Sequence, residues 1–238
     1  QERIAIETAK TLVAALEGSL PAAAVNLPFR PAGASSEPFL RLAEQLGRLA
    51  SAVAEGSLQE MRIDLWGVEE GLRPALTVAA LKGALQPFMG DGVNYVNAEK
   101  LARDRGISVV RATHSETGDY PHLVKLTLTA SDGRVELSGA LIGQRDPRVV
   151  GIGDFRLEFR PQGRLLWLEN RDVPGVVGKL GNLLGADGIN IAGIHLGRKE
   201  GEGRALAVLR LDQAPGEATL EKLAALDEVE DVRYVDMT

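Results

Sequence analysis

The last 75 residues, 164–238, narrow the folds open to this chain more than any other stretch. RLLWLEN (164–170) is a short apolar run of strand length. PGVVGKLGNLLGADG (174–188) carries apolar residues at helical spacing, opens on Pro-Gly and leaves through Gly188. INIAGIHLGRK (189–199) and ALAVLRLDQ (205–213) read as strands separated by the turn EGEGR (200–204). GEATLEKLAAL (216–226) is helical again, and VEDVRYVDM (229–237) is a final strand. The order is β-α-β-β-α-β. Two right-handed crossovers then place both helices on one face of a four-stranded antiparallel sheet.

The preceding residues follow a different grammar. Over 2–18, Ile4, Ala5, Thr8, Leu12, Ala15 and Leu16 recur at helical spacing, with Gly18 as the stop. Residues 19–38 hold four prolines and read as an extended linker, with Ser35 or Ser36 placed to cap a helix over 37–55. A strand follows at 58–67, a helix at 73–88 with Pro74 near its start, and a short helix at 94–105. Strands are expected at 106–114, 121–130 and 134–143, the last two joined by Ser131-Asp132-Gly133. Residues 147–159 read as two strands turning at Gly153-Asp154. The fold class is therefore α+β: a mixed α/β block followed by a ferredoxin-like βαββαβ unit. The expected domains are 1–27 (helix and linker), 28–163 and 164–238.

Composition excludes several functions. The chain of 238 residues carries a net charge of −6, which argues against sequence-independent nucleic-acid binding. No apolar run reaches the ~18 residues of a membrane span. There is no cysteine, so disulfides, thiolate metal sites and cysteine nucleophiles are excluded, and a reducing, cytoplasmic setting is expected. The three histidines, His114, His122 and His195, are too few and too scattered for a metal site. His195 reads as a structural strand residue, and the other two as surface residues flanking SETGDYP. No nucleophile–base–acid set is visible, so no catalytic residue is assigned. The chain opens on Gln1 without a signal-peptide pattern, so it is expected to be a fragment, a processed product or an engineered piece.

The strand ending in ENRD, the run VPGVVGKLGNLLG and the strand opening GINIAGI together resemble the ACT domain, a small ligand-binding module of amino-acid metabolism. NYVNAEKLARDRGI (94–107), LSGALIG (137–143) and PRVVGIGDFRLEF (147–159) resemble the intervening, allosteric substrate-binding domain of long-form D-3-phosphoglycerate dehydrogenases. Residues 1–28, ending near AVNLP, are similar to the helix returning from the nucleotide domain of 2-hydroxyacid dehydrogenases. The resemblance implies the regulatory and oligomerisation part of an NAD-dependent enzyme of serine biosynthesis. It implies a homo-oligomer that binds L-serine or a related effector, with NAD and the catalytic residues held upstream of this chain. The closest approaches to a dinucleotide fingerprint, GIGDFR (151–156) and GKLGNLLG (178–185), lack the strand-turn-helix context. Two other readings stand beside it: an oligomerisation module without effector binding, and the regulatory part of an L-serine dehydratase.

An amino-acid site needs backbone N–H donors and an oxygen acceptor. A helix starting near residue 174 supplies the donors. Pro174 presets the helical φ, Gly175 admits close approach, and Asp172 stands ready to cap the helix or accept an ammonium. Asn170 and Asn190 offer amides. The resemblance carries effector contacts onto Asn170, Asp172 and Asn190 and onto the backbone of Val173, Pro174, Gly175 and Val176. Family members often have His or Tyr where this chain has Asn170. A second candidate is an anion site formed by Arg148, Arg156 and Arg160, the last two expected to share one strand face. The competing expectation there is a set of salt bridges to Glu158 or nearby acids.

Overall fold

A computed structural model describes residues 36–238, apart from Thr117, Gln144 and Glu200, together with Ile6 and Ala9. Ile6 and Ala9 are helical. The rest of the expected 2–18 helix and most of the 19–38 linker lie outside the described residues.

Helix α1 (Glu37–Val53) begins at the expected position, with Ser36 as N-cap and Pro38 in its first turn. Its buried stripe, Leu42, Leu46, Leu49 and Val53, packs against a first sheet. Strand β1 (Leu58–Trp66) leads into α2 (Arg73–Met89) and α3 (Ala98–Asp104), which return the chain to β2 (Ser108–His114). That crossover makes β1 and β2 parallel. Strands β3 (Leu123–Ala130), β4 (Gly133–Ile142) and β5 (Asp146–Ile152) then add by antiparallel pairing. The five-stranded order is β2-β1-β3-β4-β5. Helix α3 is shorter than expected because Asn94 and Asn97 build a side-chain turn: the Asn94 Oδ1 accepts from the N–H of Val96 and Asn97.

Helices α1 and α2 approach at two glycines. A methyl group on Gly47 would lie 2.0 Å from the Ala80 carbonyl oxygen, and one on Gly83 would lie 2.0 Å from that of Glu44. The contact is backbone against backbone.

The second sheet contains β6 (Gly163–Arg171), β7 (Ile191–Lys199), β8 (Arg204–Leu211) and β9 (Val229–Met237), in the order β7-β8-β6-β9. Helix α4 (Val176–Ala186) follows β6, and α5 (Glu217–Ala224) precedes β9. The β-α-β-β-α-β order is thus observed, with all pairings antiparallel.

Successive residues of β6 alternate between two cores. Leu166 and Leu168 pack with Leu180, Leu184 and Leu223 under the helices. Leu165 and Trp167 join a cluster containing Phe159, Val208, Val235 and the residues of α1. Burial on both faces explains why RLLWLEN is continuously apolar rather than alternating. Helix α1 lies between the two sheets, touching β3, β4 and β5 of one and β9 of the other. Arg233 of β9 donates to the Val53 carbonyl at the end of α1 and to Glu55.

Residues 153–160 correct the expected second strand. The chain turns tightly at Gly153 (φ 51), where Ile152 and Phe155 exchange backbone hydrogen bonds, and meets β5 again only at Val149–Phe159. The segment instead lies against β7: a methyl group on Gly197 would come within 3.0 Å of the Phe155 Cβ. His195 faces the same side, its ring 5.9 Å from that of Phe159, and burial lowers its pKa.

Candidate functional site

Strand β6 ends at Arg171, and the next four residues form the turn into α4. The turn is tied down on both sides: the Arg171 N–H donates to the Glu228 carbonyl and the Asp172 N–H to that of Gly203, each at 2.8 Å. Gly175 is the N-cap at φ 93, a left-handed conformation that favours glycine, and a Cβ there would point into open space. The first intrahelical bond runs from the Lys179 N–H to the Gly175 carbonyl. The helix therefore starts two residues later than Pro174 would set it. Pro174 lies outside the helix, and Asp172 is not its cap.

Around this turn lies a cavity of about 180 Å3. Asn170, Asp172 and Val173 through Val176 all line it. Sequence reasoning missed its other wall, formed by Leu180 of α4, Leu196 and Arg198 of β7, and Ala205 and Ala207 of β8. Those residues come together through the β7–β8 register, which pairs Leu196 with Ala207 and Arg198 with Ala205. No local sequence signal reports that pairing.

Asn170 is 5% exposed. Its Nδ2 donates to the Arg171 carbonyl at 2.7 Å, and its side-chain oxygen has no hydrogen-bond partner among the described residues. That amide lines the cavity, where its oxygen can accept from a ligand. Asp172 lies 3.4 Å from the Arg198 Nε. Lys179, on the first turn of α4, pairs with Glu228 and holds that carboxyl below its ordinary range.

Asn190 does not join this cavity in the same chain. It precedes β7 at the end opposite Arg198, about 25 Å away at ~3.3 Å per residue. There its Nδ2 donates to Asp212 Oδ2 at 2.6 Å, and its N–H donates to Gln213.

The arginines divide. Arg160 and Arg148 both fork onto Asp146, at 2.7–3.0 Å for their closest contacts, and Arg148 also reaches Glu158 at 3.2 Å. The Arg160 and Arg148 guanidiniums hold the Asp146 carboxyl at about 2. Arg156 is elsewhere: its side chain is 91% exposed and 3.7 Å from Asp119. The missing second strand is the reason, since without it Arg156 and Arg160 share no face.

His114 and His122 are exposed. His114 stacks on Trp66 with its Nε2 2.8 Å from Asp64, and His122 contacts the Gly67 carbonyl. Among the described residues no group of three or more His, Asp or Glu is placed to hold a metal, and no helix is long and apolar enough to cross a membrane. The glycine runs do not fit a dinucleotide: Gly178, Gly181 and Gly185 lie within α4, and Gly151 and Gly153 at the end of β5. Larger clefts exist, including one of about 370 Å3 between the sheets. Several of its charged walls are already paired, as in Arg233 with Glu55 and Asp231, and Arg134 with Glu136.

Comparison with known proteins adds two matches. Residues 35–153 match the model of the D-3-phosphoglycerate dehydrogenase intervening domain, and residues 168–228 match the ACT domain. Curated relatives named D-3-phosphoglycerate dehydrogenase include one from Synechocystis sp., 32% identical over 100% of this chain and 44% of its own length. Another, from Mycobacterium leprae, is 33% identical over 95% of this chain and 44% of its own length. One from Methanocaldococcus jannaschii is 31% identical over 93% of this chain and 43% of its own length. The chain thus spans less than half the length of each of these relatives.

Proposed function

The chain belongs to the D-3-phosphoglycerate dehydrogenase intervening-domain family and carries an ACT domain, and from that premise we propose that it is the regulatory and oligomerisation part of such an enzyme, binding L-serine or a related small effector at the start of α4. The oxidation of 3-phosphoglycerate, and NAD as its coenzyme, belong in this proposal to the rest of the enzyme. The part played here is to couple effector binding to that activity, a coupling that is thermodynamically reciprocal for binding.

The observation that carries the proposal is the α4 cavity, lined by the Asn170 amide and the Asp172 carboxylate with the first turn of α4 beside them. The adjacent edge strand supports the oligomeric part. Among the described residues β7 pairs with β8 alone, and Ile194 and Leu196 on its helix-facing side are 41% and 46% exposed. Exposed Val173 and Val177 continue this apolar stripe. An uncovered edge of this kind invites strand pairing. Antiparallel pairing of β7 with β7 of a second copy would carry each Asn190 toward the other copy's Arg198. The two halves of the expected effector site, separated within one chain, would then meet between chains.

The test is titration calorimetry with L-serine, glycine and L-alanine, beside the molar mass in solution. Heat of binding from an oligomer supports the proposal. An oligomer that binds none of the three would instead be an oligomerisation module.

A further inference from the structure

We propose that Arg198 is a specificity-determining residue of the α4 cavity: its guanidinium takes the carboxylate of a free amino acid while Asp172 takes the ammonium. This rests on the reading above that the cavity holds an amino acid, and it goes further by assigning the ligand's orientation.

Arg198 stands on the helix-facing side of β7, lines the cavity and is paired across the sheet with Ala205, too small to obstruct it. The Arg198 side chain is 71% exposed and the Asp172 side chain 34%. Their 3.4 Å approach carries no hydrogen bond, although a well-aligned arginine–carboxylate pair forms two. Elsewhere in this molecule arginines do form such forks, as Arg160 and Arg148 do on Asp146. The Arg198–Asp172 pair is therefore open to exchange, and an exposed pair of this kind contributes little to folding.

A zwitterion replaces it without changing the net charge of the site. Its ammonium displaces the guanidinium from Asp172, and its carboxylate meets the guanidinium from one side and the first-turn N–H groups of α4 from the other. The Asn170 oxygen accepts a remaining ammonium or hydroxyl proton. Leu180, Leu196 and Ala207 close the apolar wall, which selects a small side chain.

The experiment is calorimetry on this chain with L-serine and with L-serinamide, which keeps the ammonium and lacks the carboxylate. We expect serinamide to bind at least about tenfold more weakly than serine, Arg198→Leu to weaken serine by about tenfold, and Arg198→Lys to recover most of that loss. If Arg198→Leu binds serine as tightly as the unaltered chain, the assignment of Arg198 is overturned and the effector reading stands. If the unaltered chain binds no amino acid, both are overturned. Should Arg198→Leu fail to fold, the two ligands decide alone: equal affinity for serine and serinamide overturns the assignment.

Discussion

Trp167 and Leu168 are neighbours in β6 yet belong to different hydrophobic cores, Trp167 facing α1 and the first sheet and Leu168 facing α4 and α5. Truncating either leaves a cavity. Trp167→Ala is expected to cost about 3–5 kcal/mol and Leu168→Ala about 2–5 kcal/mol. The two should differ in kind. The unaltered chain is expected to melt in one transition because the sheets share a core. Trp167→Ala should split it in two by calorimetry, whereas Leu168→Ala should lower the second sheet's stability without uncoupling it.

Gly47 and Gly83 let the α1 and α2 backbones touch. Each alanine variant places a methyl group against a carbonyl that cannot rotate away, so the helices must separate. We expect destabilisation of about 1–3 kcal/mol by denaturant titration, despite alanine's better helix propensity. Stabilisation would contradict this packing.

Asp146 is anchored by Arg160 and Arg148, with its folded pKa at about 2. An ordinary aspartate titrates at about 3.9. A carboxyl lowered on folding adds stability above its unfolded value, and that contribution is lost as pH falls toward the folded value. Asp146→Asn should therefore lower the urea midpoint at pH 6, with the gap to the unaltered chain closing between about pH 4 and pH 2. A gap that stays constant over that range would show that the anchoring is not ionic.

Asp172 caps no helix and makes only a loose ion pair. Asp172→Ala should therefore change stability by no more than about 0.5 kcal/mol. The proposed effector role expects L-serine affinity to fall. Unchanged serine binding in that variant, measured by calorimetry, would remove Asp172 from the site.

Ile194 lies exposed on strand β7 and outside the cavity lining. Ile194→Asp places a charge where a second copy's apolar stripe would pack. Light scattering is expected to show a smaller assembly than that of the unaltered chain, and an unchanged mass would exclude β7 from the interface.

The candidate site was half legible in the sequence. Asn170 to Val176 are contiguous, so their clustering needed only a strand, a turn and a helix in succession. Leu196, Arg198, Ala205 and Ala207 reach the cavity by strand register across the sheet. The expected trio of arginines failed for the same kind of reason. It assumed a second strand after Gly153, but that segment packs on β7 through Phe155 and the space left by Gly197.

The sequence by itself determined the β-α-β-β-α-β order, the position of α1 and the presence of a turn from Asn170 to Val176 leading into α4, because periodicity, prolines and glycines act over a few residues. Only the tertiary structure decided that the two sheets share a core through α1, that Asn190 lies far from Asn170, and that Arg198 faces Asp172. Those relationships depend on which face of a strand meets which partner, and a strand's own residues encode only the alternation of its faces, not the identity of what covers them.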